Sequence, residues 1–124
     1  MNVVDSSAWL EYFAGGPGAR HFSAAIDDAD RLIVPVVVLY EVFKRVLSQR
    51  GEDAALRAAA FMERGAVAEM NAALALAAAR LSVEHRLPMA DSLILATARA
   101  AGATLWTLDS DFESLPSVRS SPPP

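Results

Sequence analysis

The stretch Asn2-Val3-Val4-Asp5 is a short apolar run that ends in an acidic residue, and a helix-like apolar segment follows it. Ser6 and Ser7 are residue types that cap helices, and Gly15-Gly16-Pro17-Gly18 marks the end of the segment. The same alternation of short apolar runs with helical periods continues to Leu108. Short apolar strands separated by helices favour a parallel sheet covered on both faces. We therefore expect an α/β protein.

The periodicity also predicts the other elements and their approximate bounds. The strand-like runs are Leu32–Val34, Ala66–Met70, Ala103–Leu108 and a short piece around Val118. The helix-like segments are His21–Ala29, Val36–Gln49, Asp53–Arg64, Ala72 to about His85 with Asn71 as a cap, and Pro88 to Gly102. The apolar side of the segment after Pro35 carries Leu39, Val42, Phe43, Val46 and Leu47. We expect one domain over 1–118 and a flexible Pro-rich tail over 119–124.

The composition is that of an ordinary globular protein, with 124 residues, 53% hydrophobic and 21% charged. The absence of cysteine excludes a disulfide framework, a thiolate metal site and a cysteine nucleophile. We see no secretory signal and no apolar stretch long enough for a bilayer, so we expect a soluble, cytoplasmic protein. A net charge of −4 argues against coating nucleic acid through bulk electrostatics, but not against an enzyme that acts on it.

Two acidic residues follow predicted strands. Asp5 ends the first strand and Asp109 ends the fourth, so a parallel sheet would bring both to the same edge, where α/β proteins bind ligands. Either one alone is also explained by turn formation or helix capping.

Two further acids lie on predicted helices. Asp91 shares its face with Ile94, Leu95 and Ala98, and an unpaired carboxylate in apolar company is unfavourable unless it serves a site. The alternative explanation for Asp91 is that it lies in the first turn of a helix, where the helix dipole favours a negative charge. Glu41 lies on a polar face and is equally explained as a solvated residue.

If these carboxylates converge, their mutual repulsion requires protons or a cation. Oxygen ligands without histidine or cysteine suit Mg²⁺ or Mn²⁺ rather than zinc. Such ions activate water and stabilise charge on a phosphate, which favours phosphodiester hydrolysis.

These residues resemble the motifs of the PIN-domain family, specifically its VapC-type toxins. The four matching segments are Val3-Val4-Asp5-Ser6-Ser7, Pro35 through Glu41, Leu87 through Ala98, and Leu105-Trp106-Thr107-Leu108-Asp109-Ser110-Asp111-Phe112. Each segment alone is weakly specific, but the four in this order are quite specific.

The resemblance implies a three-layer α/β/α sandwich with a central parallel sheet of four to five strands and a Mg²⁺ or Mn²⁺ site that cleaves RNA. The residues that match the family's catalytic and metal-binding acids are Asp5, Glu41, Asp91 and Asp109. Asp111 matches a further acid that supports the site or the turn, and Ser6 and Thr107 match hydroxyls that orient carboxylates. The family also implies a homodimer and a VapB-like antitoxin.

Three alternative interpretations fit the sequence less well. A phosphoacceptor receiver domain needs a lysine at the end of its last strand, but the only lysine, Lys44, lies in a helix-like segment. A phosphatase of the haloacid dehalogenase type needs Asp-x-Asp after the first strand, but here Asp109 and Asp111 come last. The third is a catalytically silent PIN-fold protein that only binds a partner; the presence of all four acids argues against it.

Overall fold

A parallel sheet of five strands forms the centre of the molecule in a computed structural model that describes residues 1–112 and 115–120. The strands are β1 (Asn2–Val4), β2 (Leu32–Pro35), β3 (Ala66–Ala68), β4 (Thr104–Thr107) and β5 (Val118–Ser120). Their order across the sheet is β3-β2-β1-β4-β5, and every neighbouring pair is parallel. The predicted parallel α/β fold is confirmed.

Within residues 1–112 and 115–120, six α-helices flank the sheet. They are α1 (Ser6–Ala14), α2 (Ala19–Ile26), α3 (Val36–Arg50), α4 (Glu52–Met62), α5 (Ala72–His85) and α6 (Met89–Ala100). Parallel neighbours need crossover connections, and these helices provide them. None of the helices in the described ranges has both the length and the apolar composition needed to span a bilayer.

The central strands are buried on both faces, as a covered parallel sheet requires. Val3 and Val4 are fully buried in β1, and they share with Trp9 a core that reaches from α1 to α6. The seven residues from Ser92 to Ala98 in α6 are all buried. Both β1, which precedes Asp5, and α6, which carries Asp91, are therefore enclosed elements of the fold.

Several predicted boundaries were wrong. Asp5, rather than Ser6 or Ser7, caps α1, because its carboxylate accepts a hydrogen bond from the backbone N–H of Ala8. The second helix begins at Ala19 and ends at Ile26 instead of spanning His21–Ala29, since a short 3-10 helix, Ala29–Arg31, follows it.

The outer side of α3 and the end of the domain also differ from expectation. The buried residues of α3 are Val38, Val42 and Val46, whereas Leu47 is 41% exposed, because the helix turns a narrower stripe towards the core than the sequence suggested. The domain does not stop at residue 118: β5 pairs with β4 through Ser120, so the first two residues of the predicted tail lie in a strand. The rest of that tail, 121–124, lies outside the described residues.

Candidate active site

The carboxyl ends of β1 and β4 form one edge of the sheet, and acidic residues follow both strands. Val4 pairs with Trp106, and the backbone N–H of Asp5 continues the ladder by donating to the Trp106 carbonyl at 3.0 Å. Asp109 follows β4 by two residues. The two acids therefore lie at the same edge, as the order of parallel strands led us to expect.

Asp91 joins them from the first turn of α6. Its side chain is half-buried, and the carboxylates of Asp109, Asp5 and Asp111 all act on it electrostatically. One carboxylate oxygen each from Asp91, Asp109 and Asp111 lies within 4.8 Å of the other two. We call these three residues the aspartate cluster.

The electrostatics of the site follow from this crowding. Burial, followed by the negative charge of Asp109 and a hydrogen bond with it, raises the pKa of Asp91 from 3.8 to about 7. The charges of Asp5 and Asp111 act in the same direction. Asp91 thus loses its proton at a much higher pH than an ordinary aspartic acid unless a cation compensates for the surrounding charge.

Asp5 is the most deeply buried acid, with 2% of its surface exposed. Burial raises its pKa above the ordinary value, although three hydrogen bonds oppose that effect. The donors are the Thr107 hydroxyl, the Ser7 hydroxyl at 2.7 Å and the backbone N–H of Ala8 at 2.9 Å. They fix both carboxylate oxygens of Asp5, so the residue links β1, α1 and β4 and cannot swing out of the site.

The segment after β4 is equally constrained. The backbone N–H of Asp109 donates to the Thr107 hydroxyl at 2.8 Å, and that of Asp111 donates to Asp109 Oδ1 at 2.9 Å. Phe112 is fully buried and anchors the short 3-10 helix Ser110–Phe112, which carries Asp111. The geometry of Asp109 and Asp111 is thereby set by β4 and by a core side chain.

Glu41 reaches the site from α3. Its Oε1 accepts a hydrogen bond of 2.7 Å from the Ser6 hydroxyl, and its side chain is half-buried. Ser6 follows Asp5 directly in the chain, so Glu41 is tied to the end of β1 and is not a solvated residue on an outer helix face. It is not among the three residues of the aspartate cluster.

Sequence reasoning missed one residue, Ser7. Its hydroxyl donates to Asp5 Oδ1 and accepts the backbone N–H of Leu108 at 3.1 Å, which joins the start of α1 to the end of β4. The sequence offered only a serine beside an acid, and that pattern was interpreted as a helix cap. The partner a hundred positions away could not be inferred locally.

The donor set can be tested for its fit to a cation. The aspartate cluster presents only carboxylate oxygens. Burial, followed by the negative charges of the neighbouring acids, raises the pKa of Asp91, and a divalent ion would offset those negative charges. Hard cations such as Mg²⁺ and Mn²⁺ prefer such ligands. The residues present therefore fit a divalent metal ion, with Asp91, Asp109 and Asp111 as the groups that would hold it.

Two grooves of the described surface are formed between elements of secondary structure, and neither is lined by the aspartate cluster. One, of about 1090 Å³, lies between β3, α5 and α6, and the other, of about 620 Å³, lies between α1, α3 and α4. The aspartate cluster is therefore identified by its convergent carboxylates and not by a groove.

The chain is thus an α/β protein whose parallel sheet is covered on both faces and has clustered acidic residues at the carboxyl ends of its strands. The family model described as PIN domain matches residues 3–117, and the chain belongs to that family. The predicted family membership is confirmed. None of the curated protein sequences matches the chain.

Several solved structures share the fold. A toxin–antitoxin complex from Klebsiella pneumoniae gives a TM-score of 0.81 at 20% identity, covering 95% of both chains. VapC20 of Mycobacterium tuberculosis, a toxin that cleaves the sarcin–ricin loop, gives 0.80 at 24% identity, covering 98% of this chain and 100% of its own. DNA-bound VapBC from Salmonella typhimurium gives 0.73 at 16% identity, covering 96% and 95%. At these identities the likeness shows the fold alone.

Proposed function

We propose that the protein is a metal-dependent endoribonuclease and the toxin of a VapBC-type toxin–antitoxin pair. The observation that carries the proposal is the aspartate cluster, which lies beside Asp5 at the carboxyl edge of a PIN-domain sheet. The toxins and toxin–antitoxin complexes that share the fold, one of them a toxin that cleaves RNA, support the same assignment.

In this proposal the acidic residues have two roles. Asp91, Asp109 and Asp111 would hold Mg²⁺ or Mn²⁺, and Asp5 and Glu41 would add further negative charge beside them. When bound, the divalent ion supplies an activated water and offsets the charge that develops on the phosphodiester. Asp5 is oriented by Thr107 and Ser7, and Glu41 by Ser6, so these hydroxyls act as positioning residues.

The proposed partners are an RNA substrate, a VapB-like antitoxin and a second copy of the chain. The toxin–antitoxin complexes among the structural neighbours support the antitoxin, and their DNA-bound forms suggest that a pair of this kind can also bind promoter DNA. Because its RNA substrate and antitoxin would be found in the cytoplasm, we propose that the protein acts there.

Removal of divalent metal tests the proposed activity. Treatment with EDTA should lower the rate of RNA cleavage by at least about 100-fold, because several kcal/mol of charge stabilisation are lost with the ion. Addition of excess Mn²⁺ or Mg²⁺ should restore the rate, whereas Ca²⁺ serves as a matched control for ionic strength and should restore less. The measurement is the cleavage of total cellular RNA followed by gel electrophoresis.

Two outcomes would contradict the proposal. Cleavage that persists at full rate in EDTA would exclude the metal-dependent mechanism. Failure to cleave any RNA in the presence of either metal would favour the catalytically silent binding module instead.

A further inference from the structure

Three arginines line the 620 Å³ groove between α1, α3 and α4. Arg45 and Arg50 belong to α3 and Arg57 belongs to α4, and all three side chains are exposed. Within the described part of the chain none of them forms a salt bridge, so their charges are free to bind an external anion. We call this feature the arginine groove.

The charge of the arginine groove is opposite to that of the protein as a whole, whose net charge is −4. One acid, Glu11, also lines it and accepts a hydrogen bond of 2.7 Å from the backbone N–H of Gly18, so the lining carries three positive charges against one negative charge. Because the protein as a whole is acidic, its overall composition does not account for this local excess of positive charge, and a function of the groove does.

The arginine groove is continuous with the proposed active site. Ser7 lines the groove, and its hydroxyl donates to Asp5 at 2.7 Å. On α3, Arg45 follows Glu41 by one helical turn, about 6 Å along the helix axis. An RNA strand that runs from the acidic site along α3 would therefore pass Arg45 one helical turn beyond Glu41.

The groove has an apolar wall as well as the cations. Phe13 and Leu10 line it, and the Phe13 ring stacks on Trp9 with centroids 5.5 Å apart, which holds the ring in place. Nucleic-acid grooves for single strands combine cations that follow the backbone with apolar and aromatic surface beside the bases.

We propose that the arginine groove binds the single-stranded part of the RNA that flanks the phosphodiester being cut, with Arg45, Arg50 and Arg57 contacting backbone phosphates. The inference rests on the proposed function, and it adds the surface that holds the substrate. Guanidinium groups bind phosphate oxygens with paired, charge-assisted hydrogen bonds. The aspartate cluster repels phosphates, so an acidic nuclease needs a separate cationic surface to retain its substrate.

The inference predicts a selective loss of RNA affinity in the double variant Arg50→Gln/Arg57→Gln. The probe is a fluorescein-labelled oligouridylate of roughly 12 nucleotides, within the range of about 4–16 nucleotides that single-strand-binding folds cover, and binding is followed by fluorescence anisotropy in EDTA to prevent cleavage. The Kd should rise at least about 10-fold. The slope of log affinity against log salt concentration should fall by about 1.4, since each lost phosphate contact on a single strand contributes about 0.7.

The matched control is Arg80→Gln/Arg99→Gln, which makes the same change in net charge in the larger groove between β3, α5 and α6. Its Kd should stay within about twofold of the wild-type value, because charges more than a Debye length of about 10 Å from the RNA are screened. The variant Arg50→Lys/Arg57→Lys keeps the charges and should keep most of the salt dependence. All variants change exposed side chains, and thermal unfolding checks that they remain folded.

Four results would overturn the inference. An equal loss in both double variants would show that only net charge matters. Unchanged RNA affinity and cleavage in the groove variant would refute the inference and leave the proposed function intact. Lost affinity for the antitoxin with RNA affinity retained would assign the groove to a protein partner. A wild-type protein that neither binds nor cleaves RNA would overturn the proposed function, and the inference with it.

Discussion

Asp91→Asn is expected to lower the rate of RNA cleavage by about 100- to 1000-fold while leaving the protein folded. The substituted asparagine would keep the shape of the side chain and the start of α6 but would remove one of the charges that hold the metal ion. The loss corresponds to about 3–4 kcal/mol of transition-state stabilisation, a magnitude typical for weakened metal assistance. Single-turnover cleavage at saturating Mn²⁺ measures the effect.

The control for this prediction is Asp30→Asn. Asp30 is exposed in the 3-10 helix before β2, at the amino end of the strands and thus at the opposite edge of the sheet from the aspartate cluster. The substitution Asp30→Asn removes the same charge and should leave the cleavage rate within about twofold of the wild-type rate, because salt screens an exposed charge at the opposite edge of the sheet. A rate for Asp91→Asn within threefold of the control would contradict the proposed role of Asp91.

The metal-free protein is expected to lose stability as the pH rises. Asp91 has a pKa of about 7 in the folded chain and 3.8 as a model value for the unfolded chain, so the folded state binds the proton more tightly. This contribution is fully present below pH 3.8 and is lost progressively as the pH rises to about 7. Asp5, whose pKa is also raised, acts in the same direction.

The loss of stability is modest because Asp91 is only half-buried and water screens the charges of the neighbouring acids. We expect the free energy of unfolding in EDTA to fall by about 1–2 kcal/mol between about pH 5 and about pH 8. Urea denaturation measures it. Asp91→Asn should remove most of the pH dependence, and saturating Mn²⁺ should restore stability to the wild type at the higher pH. Equal stability of the metal-free wild type at both pH values would contradict this electrostatic account.

The hydrogen bonds around the site explain how the fold holds mutually repelling acids together. Asp5 receives three hydrogen bonds and Glu41 receives one from Ser6. Each such bond to a charged group contributes about 1.5–3 kcal/mol, enough to offset part of the desolvation of a buried carboxylate. The elements that carry these groups are fixed by the buried core, so the acids are held close before a cation arrives.

Strand order could be used to predict part of the site from the sequence. Parallel strands bring their carboxyl ends to one edge, so Asp5, directly after β1, and Asp109, two residues after β4, were expected at the same edge once the sheet was inferred. Asp91 was indicated by its apolar neighbours Ile94 and Leu95, both of which are buried. These inferences needed only periodicity and the geometry of a parallel sheet.

Other features depend on contacts between distant parts of the chain and could not be predicted in the same way. Glu41 has a polar helix face around it in the sequence pattern, and only its hydrogen bond with Ser6 shows that it lies beside the end of β1. Ser7 bonds to both Asp5 and Leu108, a pairing that no local pattern encodes. The strand β5 is short and its pairing with β4 depends on the sheet being formed, so the domain boundary was placed two residues too early.

The most direct test of the proposed metal site is the position of Mn²⁺ in a crystal soaked with the ion, located by its anomalous scattering. If the aspartate cluster holds the ion, a peak is expected at about 2.0–2.6 Å from carboxylate oxygens of Asp91, Asp109 and Asp111, the distance of hard cations bound to oxygen. A well-occupied Mn²⁺ peak elsewhere on the protein with none at these three residues would contradict it.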